Sequence, residues 1–233
     1  IFICVKEYSL DSVLPFIRQT AGPRTIIIPI LNIYGTGARV QKELPDCTVL
    51  DGCIYVSASL EHPGVLVQHG PILRVVFGSR NPSYISPILS AIQSDLCESG
   101  IDGVLSTHIQ RDALEKFSYV SPIGAAGVYL HAVAGDFQKE GAARELFKSM
   151  IREISTLAAA MGYPFEKDYV KINLEILSNL SADATTSMQR DIMEGKPSEL
   201  DGLVMEPLRL AKKYSVSMPC YEEVANALCP LEF

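Results

Sequence analysis

Apolar residues along this chain fall into two regimes, and the change between them comes near residue 105. Ile1–Val5 and Thr25–Ile30 are uninterrupted apolar runs rich in β-branched residues, the pattern of strands buried on both faces of a parallel sheet. Between them, Asp11–Gln19 sets Val13, Leu14, Phe16 and Ile17 at helical spacing, with Pro15 restricting where that helix can begin. Strand, helix, strand is a βαβ unit, for which the crossover is right-handed. Val49–Ala58, Val65–His69 and Leu73–Phe77 follow, separated by His62-Pro63-Gly64 and Gly70-Pro71; those turn residues predict antiparallel strands added to the sheet. Tyr84–Glu98 predicts a helix, with Gly100 as its stop.

Beyond residue 105 the strand patterns vanish and apolar residues recur at helical intervals. Ala142, Leu146, Met150, Ile154, Leu157 and Met161 form one stripe, closed by Gly162 with Pro164 beyond it. Leu174, Ile176 and Leu177 begin another expected helix, and Leu200–Tyr214 and Tyr221–Leu228 give two more. Pro207 lies inside the first of that pair and should kink it or shift its start, because it removes an amide donor. The pattern therefore predicts an α/β part over residues 1–105 and an all-helical part over residues 106–233.

Composition narrows the class. At 233 residues, 48% hydrophobic and 20% charged, the chain has the make-up of an ordinary globular protein. A net charge of −7 without a basic block argues against a nucleic-acid surface. Six cysteines (4, 47, 53, 97, 220 and 229) include no C-x-x-C pair and no histidine at metal spacing, which points to free thiols in a reducing cytoplasm. No apolar run reaches the roughly eighteen residues a membrane span needs. Lys6 and Glu7 cut off Ile1–Val5, which is therefore no signal peptide. The chain begins without Met in what reads as the middle of a sheet, so a fragment, a processed product or a missing first part is expected.

Candidate chemistry centres on Thr186–Asp201, T-S-M-Q-R-D-I-M-E-G-K-P-S-E-L-D. Thr186 and Ser187 end a turn, a helical run follows, and Gly195-Lys196-Pro197 breaks it. A new helix starting at Ser198 would put Glu199 in its first turn, where the positive helix end and free amides favour a carboxylate as a fixed acceptor. Ordinary capping between two helices explains the same pattern. Lys6 and Asn32 each follow an apolar strand-like run, at the strand ends where ligands of open α/β sheets collect. A solvated lysine and a turn asparagine are the plain alternatives. Lys116 opens the apolar segment Phe117-Ser118-Tyr119-Val120 and could stabilise and protonate a developing alkoxide, or could be an ordinary amphipathic-helix lysine. The four histidines (62, 69, 108, 131) show no catalytic spacing and are assigned to turns or surfaces, and Met218-Pro219 to a helix stop.

Six pieces, in order, resemble the ketopantoate reductase family, NADPH-dependent enzymes that reduce 2-dehydropantoate to pantoate in pantothenate and coenzyme A biosynthesis. They are I-C-V-K at 3–6, P-I-L-N at 29–32, D-G-C-I-Y-V-S-A at 51–58, H-P-G-V-L-V-Q-H-G-P at 62–71, E-K-F at 115–117, and the 186–201 stretch. The resemblance implies that residues 1–105 are the C-terminal part of a Rossmann-type NAD(P)-binding domain. It implies that 106–233 form a helical substrate and dimerisation domain like the C-terminal one of 6-phosphogluconate dehydrogenase, with the active site in the cleft between. Lys116 would be the general acid, Glu199 and Ser187 would hydrogen-bond the substrate, and Lys6 and Asn32 would lie by the nicotinamide and the substrate. Expected ligands are NADP(H) and a small 2-oxo acid, with neither nucleic acid nor membrane as partner. Helical domains of this kind often carry exposed apolar stripes, so the resemblance also suggests a homodimer.

The chain departs from the family pattern in three ways. The G-x-G-x-x-G phosphate loop and its strand are absent; Gly35-Thr36-Gly37-Ala38-Arg39-Val40 follows a later strand, ends in Val, and is expected to be a loop. The isolated chain should therefore bind NADP(H) poorly, and about seventy preceding residues would have to supply the missing helix N-terminus. Relatives place asparagines four and eight residues past the acid lysine, where this chain has Val120 and Gly124, and the tryptophan often found just before that lysine is replaced by Leu114. A hydroxy-acid dehydrogenase with another substrate, or a non-catalytic interaction module, are the alternatives.

Overall fold

The computed structural model describes residues 1–84 and 86–228; Ile85, inside the expected Tyr84–Glu98 helix, and Cys229 lie outside them. The chain divides into two units, Ile1–Ala113 and Leu114–Phe233.

The first unit runs β1 (Phe2–Ile3), a 3₁₀ turn (Glu7–Ser9), α1 (Leu10–Thr20), β2 (Ile26–Pro29), α2 (Thr36–Glu43), β3 (Thr48–Val49), β4 (Asp51–His62), β5 (Val65–Gly78), α3 (Pro87–Glu98) and β6 (Asp102–Leu105). β1, β2 and β3 make one parallel sheet, in that order. β4 pairs antiparallel with β5, and β5 pairs parallel with β6. Alternation along β2 lets three consecutive isoleucines serve two cores. Ile27 packs with Ile3, Leu10, Leu14, Ile17 and Val40 under α1 and α2. Ile26 and Ile28 face the other way, with Leu50, Val75, Phe77, Leu89 and Leu96 under α3. The result is a helix–sheet–helix sandwich.

Several expectations are corrected here. Residues 35–40 are no loop: Gly35, at φ 83°, precedes α2, because glycine alone turns the chain there without strain. Gly70-Pro71 does not separate two strands. β5 is continuous from Val65 to Gly78, and its register jumps from Gln68 opposite Ala58 to Leu73 opposite Val56, so the Gly-Pro pair sits in a bulge. His69 is inside that strand but exposed, as expected of a surface histidine, and bonds Ser59 at 2.8 Å. The expected Val49–Ala58 strand is two elements, β3 and β4. Pro15 lies within α1 rather than near its start. β6 is a strand that the pattern did not signal, being only four residues with Gly103 in it.

The second unit contains most of α4 (Ile109–Leu130), then α5 (Ala134–Gln138), α6 (Ala142–Ala160), α7 (Tyr169–Ser178), α8 (Ser187–Met193), a π-helical turn (Asp201–Met205), α9 (Glu206–Tyr214) and α10 (Pro219–Leu228). Phe147, Met150, Ile151, Ile154, Leu157 and Ala158 form the buried stripe of α6. Phe147 meets Tyr119 and Phe137 edge-on at 6.0 and 5.9 Å between ring centres. α7 starts at Tyr169, capped by Asp168, rather than near Leu174, and Pro219 opens α10 instead of stopping a helix. Glu153 accepts the amides of Cys220 and Tyr221 at 2.8 and 3.2 Å, supplying from α6 the acceptor that the first turn of α10 lacks.

Two prolines inside helices organise this core. Pro122 in α4 has no N–H for the Ser118 carbonyl one turn back, and the buried Asn173 amide donates to that carbonyl at 3.0 Å. Pro207 in α9 likewise offers nothing to Leu203, whose carbonyl takes the Ser121 hydroxyl at 2.6 Å. Ser121 also bonds the fully buried Tyr221 hydroxyl at 2.5 Å. Ser121→Ala would leave both groups without this partner in a dry interior. It should cost about 2–3 kcal/mol by urea unfolding, while Thr156→Ala, on the exposed face of α6, should change stability by less than about 0.5 kcal/mol.

Candidate active site

Lys6 and Asn32 sit at matching places in the first unit. Ile3 pairs with Pro29 across the parallel strands, and each candidate lies three residues beyond its strand's member of that pair. Both are half-buried. Lys6 precedes the 3₁₀ turn, its carbonyl accepting the Ser9 amide at 2.9 Å. Asn32 belongs to the connection from β2 to α2, so both residues stand at the C-terminal edge of the sheet.

That connection is tied down by a polar cluster which the sequence did not reveal. Asp51, at 7% exposure, accepts Arg80 Nη1 at 2.8 Å, Gln110 Nε2 and the Gly37 amide near the start of α2. Arg80 Nη2 reaches the Val49 carbonyl at 2.9 Å, and Tyr34 donates to Gln110 Oε1 at 2.6 Å. Burial pushes the Asp51 carboxyl above its ordinary range, while Arg80, Gln110 and Gly37 pull it back. Its signal was Asp51 interrupting the apolar stretch around Val49 and Leu50. A separate cavity of about 580 Å³, lined by Cys47, Thr48, Ser79, Arg80, Asn81 and Tyr84 among others, contains neither Lys6 nor Asn32.

Lys116, Ser187 and Glu199 all belong to the second unit. Lys116 is half-buried on α4, one residue before the buried Phe117. Ser187 opens α8 behind a reciprocal cap: Thr186 Oγ1 accepts the Gln189 amide at 3.2 Å, and Gln189 Oε1 accepts the Thr186 amide at 2.9 Å. Gln189 Nε2 then anchors α8 to the Ala132 carbonyl at 2.7 Å. Glu199 is 2% exposed. The helix expected from Ser198 begins at Leu200 instead, so Glu199 is its cap residue, with its carbonyl accepting the Leu203 amide at 2.9 Å.

The elements carrying these three residues meet at Gly124. A methyl group there would lie 3.2 Å from Met188 Cε and 3.8 Å from Leu203 Cδ1. Met188 follows Ser187, and Leu203 is one turn past Glu199. Position 124, where relatives were expected to carry asparagine, is thus filled by hydrophobic packing. Val120 is half-buried.

Other chemistry is sparse. Among the described residues no group of three or more His, Cys, Asp or Glu could hold a metal ion, and no helix is long and apolar enough to cross a membrane. Cys4, Cys47, Cys53, Cys97 and Cys220 take part in no disulfide. Burial and the Glu153 carboxylate push the Cys220 thiol up to about 11.

A mixed α/β unit with a small parallel sheet, followed by a helical unit, is the architecture of a partial Rossmann-type domain with an all-helical C-terminal domain. Residues 1–82 match the family described as Ketopantoate reductase PanE/ApbA, and residues 108–232 match Ketopantoate reductase PanE/ApbA C terminal. The chain belongs to the ketopantoate reductase family. It is 24% identical over 224 residues to the uncharacterized oxidoreductase YkpB of Bacillus subtilis, covering 96% of this chain and 74% of that protein. The crystal structure of 2-dehydropantoate 2-reductase from Geobacter metallireducens GS-15 superposes with a TM-score of 0.89 at 19% identity, over 99% of this chain and 76% of that one. D-mandelate dehydrogenase, in a ternary structure with NADH and anilino(oxo)acetate, gives 0.86 at 19% identity, over 97% and 74%.

Two tests follow from this geometry. A methyl at Gly37 would overlap Asp51 Oδ1, the Leu50 carbonyl and Arg80 Nη1. Gly37→Ala should therefore cost about 1–3 kcal/mol in chemical denaturation, whereas Gly22→Ala, meeting open space, should be nearly neutral. At pH 8 only about 0.1% of Cys220 would be thiolate. Its alkylation, followed by peptide mass spectrometry, should lag well behind that of exposed Cys97 and accelerate steadily as pH rises toward 11.

Proposed function

We propose that this protein reduces the carbonyl of a 2-oxo acid at the expense of NADPH, with 2-dehydropantoate to pantoate as the first substrate pair to test. The observation that carries this most directly is Glu199. It is a carboxylate at 2% exposure beside a helix start, and buried titratable groups of this kind cluster at functional sites. It stands in the second unit with Lys116 and Ser187, in the family's own order, and the family match spans the segments that contain all five candidates.

Lys6 and Asn32 fit a nicotinamide cofactor in kind and place: an ammonium and a side-chain amide at the C-terminal edge of a parallel sheet. NADPH, when bound, supplies hydride to the carbonyl carbon. The chain's own residues do the rest. Lys116 donates a proton to the carbonyl oxygen as negative charge grows there, leaving a neutral amine that solvent reprotonates. Its half-buried setting on α4, beside Phe117, limits the water competing for that oxygen. Glu199 accepts a hydrogen bond from a substrate hydroxyl, and Ser187, at the N-terminus of α8, adds a donor for the carboxylate. Asn32 orients the reacting groups.

A second substrate is favoured by one observation. Gly124 lies against Met188 and Leu203, so this position supplies no amide to grip a polar substrate tail. A bulkier or more apolar 2-oxo acid fits that surface, and the ternary D-mandelate dehydrogenase structure holds an aryl-bearing ligand of this type. NADH belongs in the same comparison.

The test is turnover by the complete gene product against a panel of 2-oxo acids with NADPH and NADH. Lys116→Ala should lower kcat by about 10²–10⁴-fold while leaving cofactor binding, followed by nicotinamide fluorescence, within a fewfold. Near-native turnover would remove Lys116 from the mechanism. No saturable cofactor binding would favour a non-catalytic interaction module.

A further inference from the structure

We infer that Tyr34, Gln110 and Asp51 form a polarised relay that positions Asn32, making all three positioning residues for the reductase reaction. The inference rests on the proposed role of Asn32, but its geometry does not. Asn32 lies in a connection of only six residues, from Ile30 to Gly35, between β2 and α2. Just past Asn32, Thr36 Oγ1 donates back to the Ile33 carbonyl at 2.8 Å, Tyr34 donates to Gln110 at 2.6 Å, and the Gly37 amide donates to Asp51. Tyr34, Thr36 and Asp51 are each buried, at 9%, 7% and 7% exposure.

The direction of every proton in the chain is dictated from one end. An ionised carboxylate can only accept, so Gln110 must turn its NH₂ toward Asp51. That leaves its carbonyl oxygen facing Tyr34, and the phenol must donate. Arg80, bonded at once to Asp51 and to the Val49 carbonyl, holds the carboxylate in place from the opposite side. Three other stretches of chain thereby fix this loop: the β3–β4 junction, the segment after β5 and the start of α4. A packing role alone would need neither the charge nor the single amide orientation. Such a network suits holding a side-chain amide to a fraction of an ångström beside reacting atoms, where small misplacements cost large factors in rate.

Tyr34→Phe deletes one oxygen and keeps the ring, so the fold should survive. In the complete gene product it should lower kcat about tenfold, with KM changed less than threefold. On an Asn32→Ala background the same substitution should cost less than threefold, because the residue it acts through is gone. Equal losses on both backgrounds, or a loss below twofold in the parent, would overturn the relay. A readout independent of catalysis separates this from failure of the reductase assignment. In Tyr34→Phe, amide hydrogen exchange across residues 33–37 should quicken at least tenfold while that of α3 stays unchanged. If the protein turns over no 2-oxo acid, the reductase assignment fails and exchange alone decides whether the loop is held. Unchanged exchange at 33–37 would sink the relay whatever the activity.

Discussion

Backbone carbonyls orphaned by proline set the terms for the helical unit. A helix buried among helices has no water to satisfy a carbonyl whose partner amide is missing, and each such group would cost ~1–3 kcal/mol if left alone. Pro122 and Pro207 create two of them, at Ser118 and Leu203, and both are met by side chains from a different element, Asn173 from α7 and Ser121 from α4. Satisfying one thus requires placing another helix. Ser121 spans the link, since it also holds Tyr221 of α10. Lys116 lies within two turns of both serines on α4, so the lysine proposed as acid rides on a helix whose register is dictated by these bonds. Among the described residues no buried side-chain polar atom is left without a partner.

Much of the fold was legible because periodicity reports burial. The isoleucines of β2 and the α6 stripe declared themselves, and so did the Gly100 and Gly162 stops, both of which adopt positive φ. What misled were residues whose local preference was overridden by distant contacts. Gly70-Pro71 reads as a turn, yet β4 and β5 pair on both sides of it and absorb it as a bulge. Gly35-Thr36-Gly37 reads as a loop, yet it starts α2, because Gly37 must pass close to Asp51 and Leu50 and only glycine can. β6 is too short to carry a pattern and is made a strand by β5 alongside it. In each case the deciding partner lies ten or more residues away, beyond the reach of a short local window.

The site divides in the same way. Lys6, Asn32, Ser187 and Glu199 could be proposed because each stands at a recognisable punctuation point, a strand end or a helix cap, and Lys116 because E-K-F at 115–117 resembles the family. Asp51, Arg80, Gln110 and Tyr34 could not, since nothing in their neighbourhoods says that four segments converge. A lone aspartate beside Val49 and Leu50 is a weak signal until the guanidinium and the amide that satisfy it are seen.

Position 124 bears most on specificity. A pocket that hydrogen-bonds a substrate hydroxyl rejects analogues lacking it by large factors, because its buried polar groups would be stranded; an apolar pocket discriminates far more weakly. With glycine at 124 packed by Met188 and Leu203, an asparagine could enter only by displacing the methionine, so the exchange is built into the core rather than painted on a surface. In the proposed reaction, recognition of the substrate hydroxyl then falls to Glu199 and that of its carboxylate to Ser187. In that proposed role Glu199, acceptor-only when ionised, would select for a hydroxyl or amine and against a second carboxylate. With these proposed roles, tolerance would lie along the hydrocarbon body of the substrate, and discrimination at the hydroxyl that Glu199 would accept.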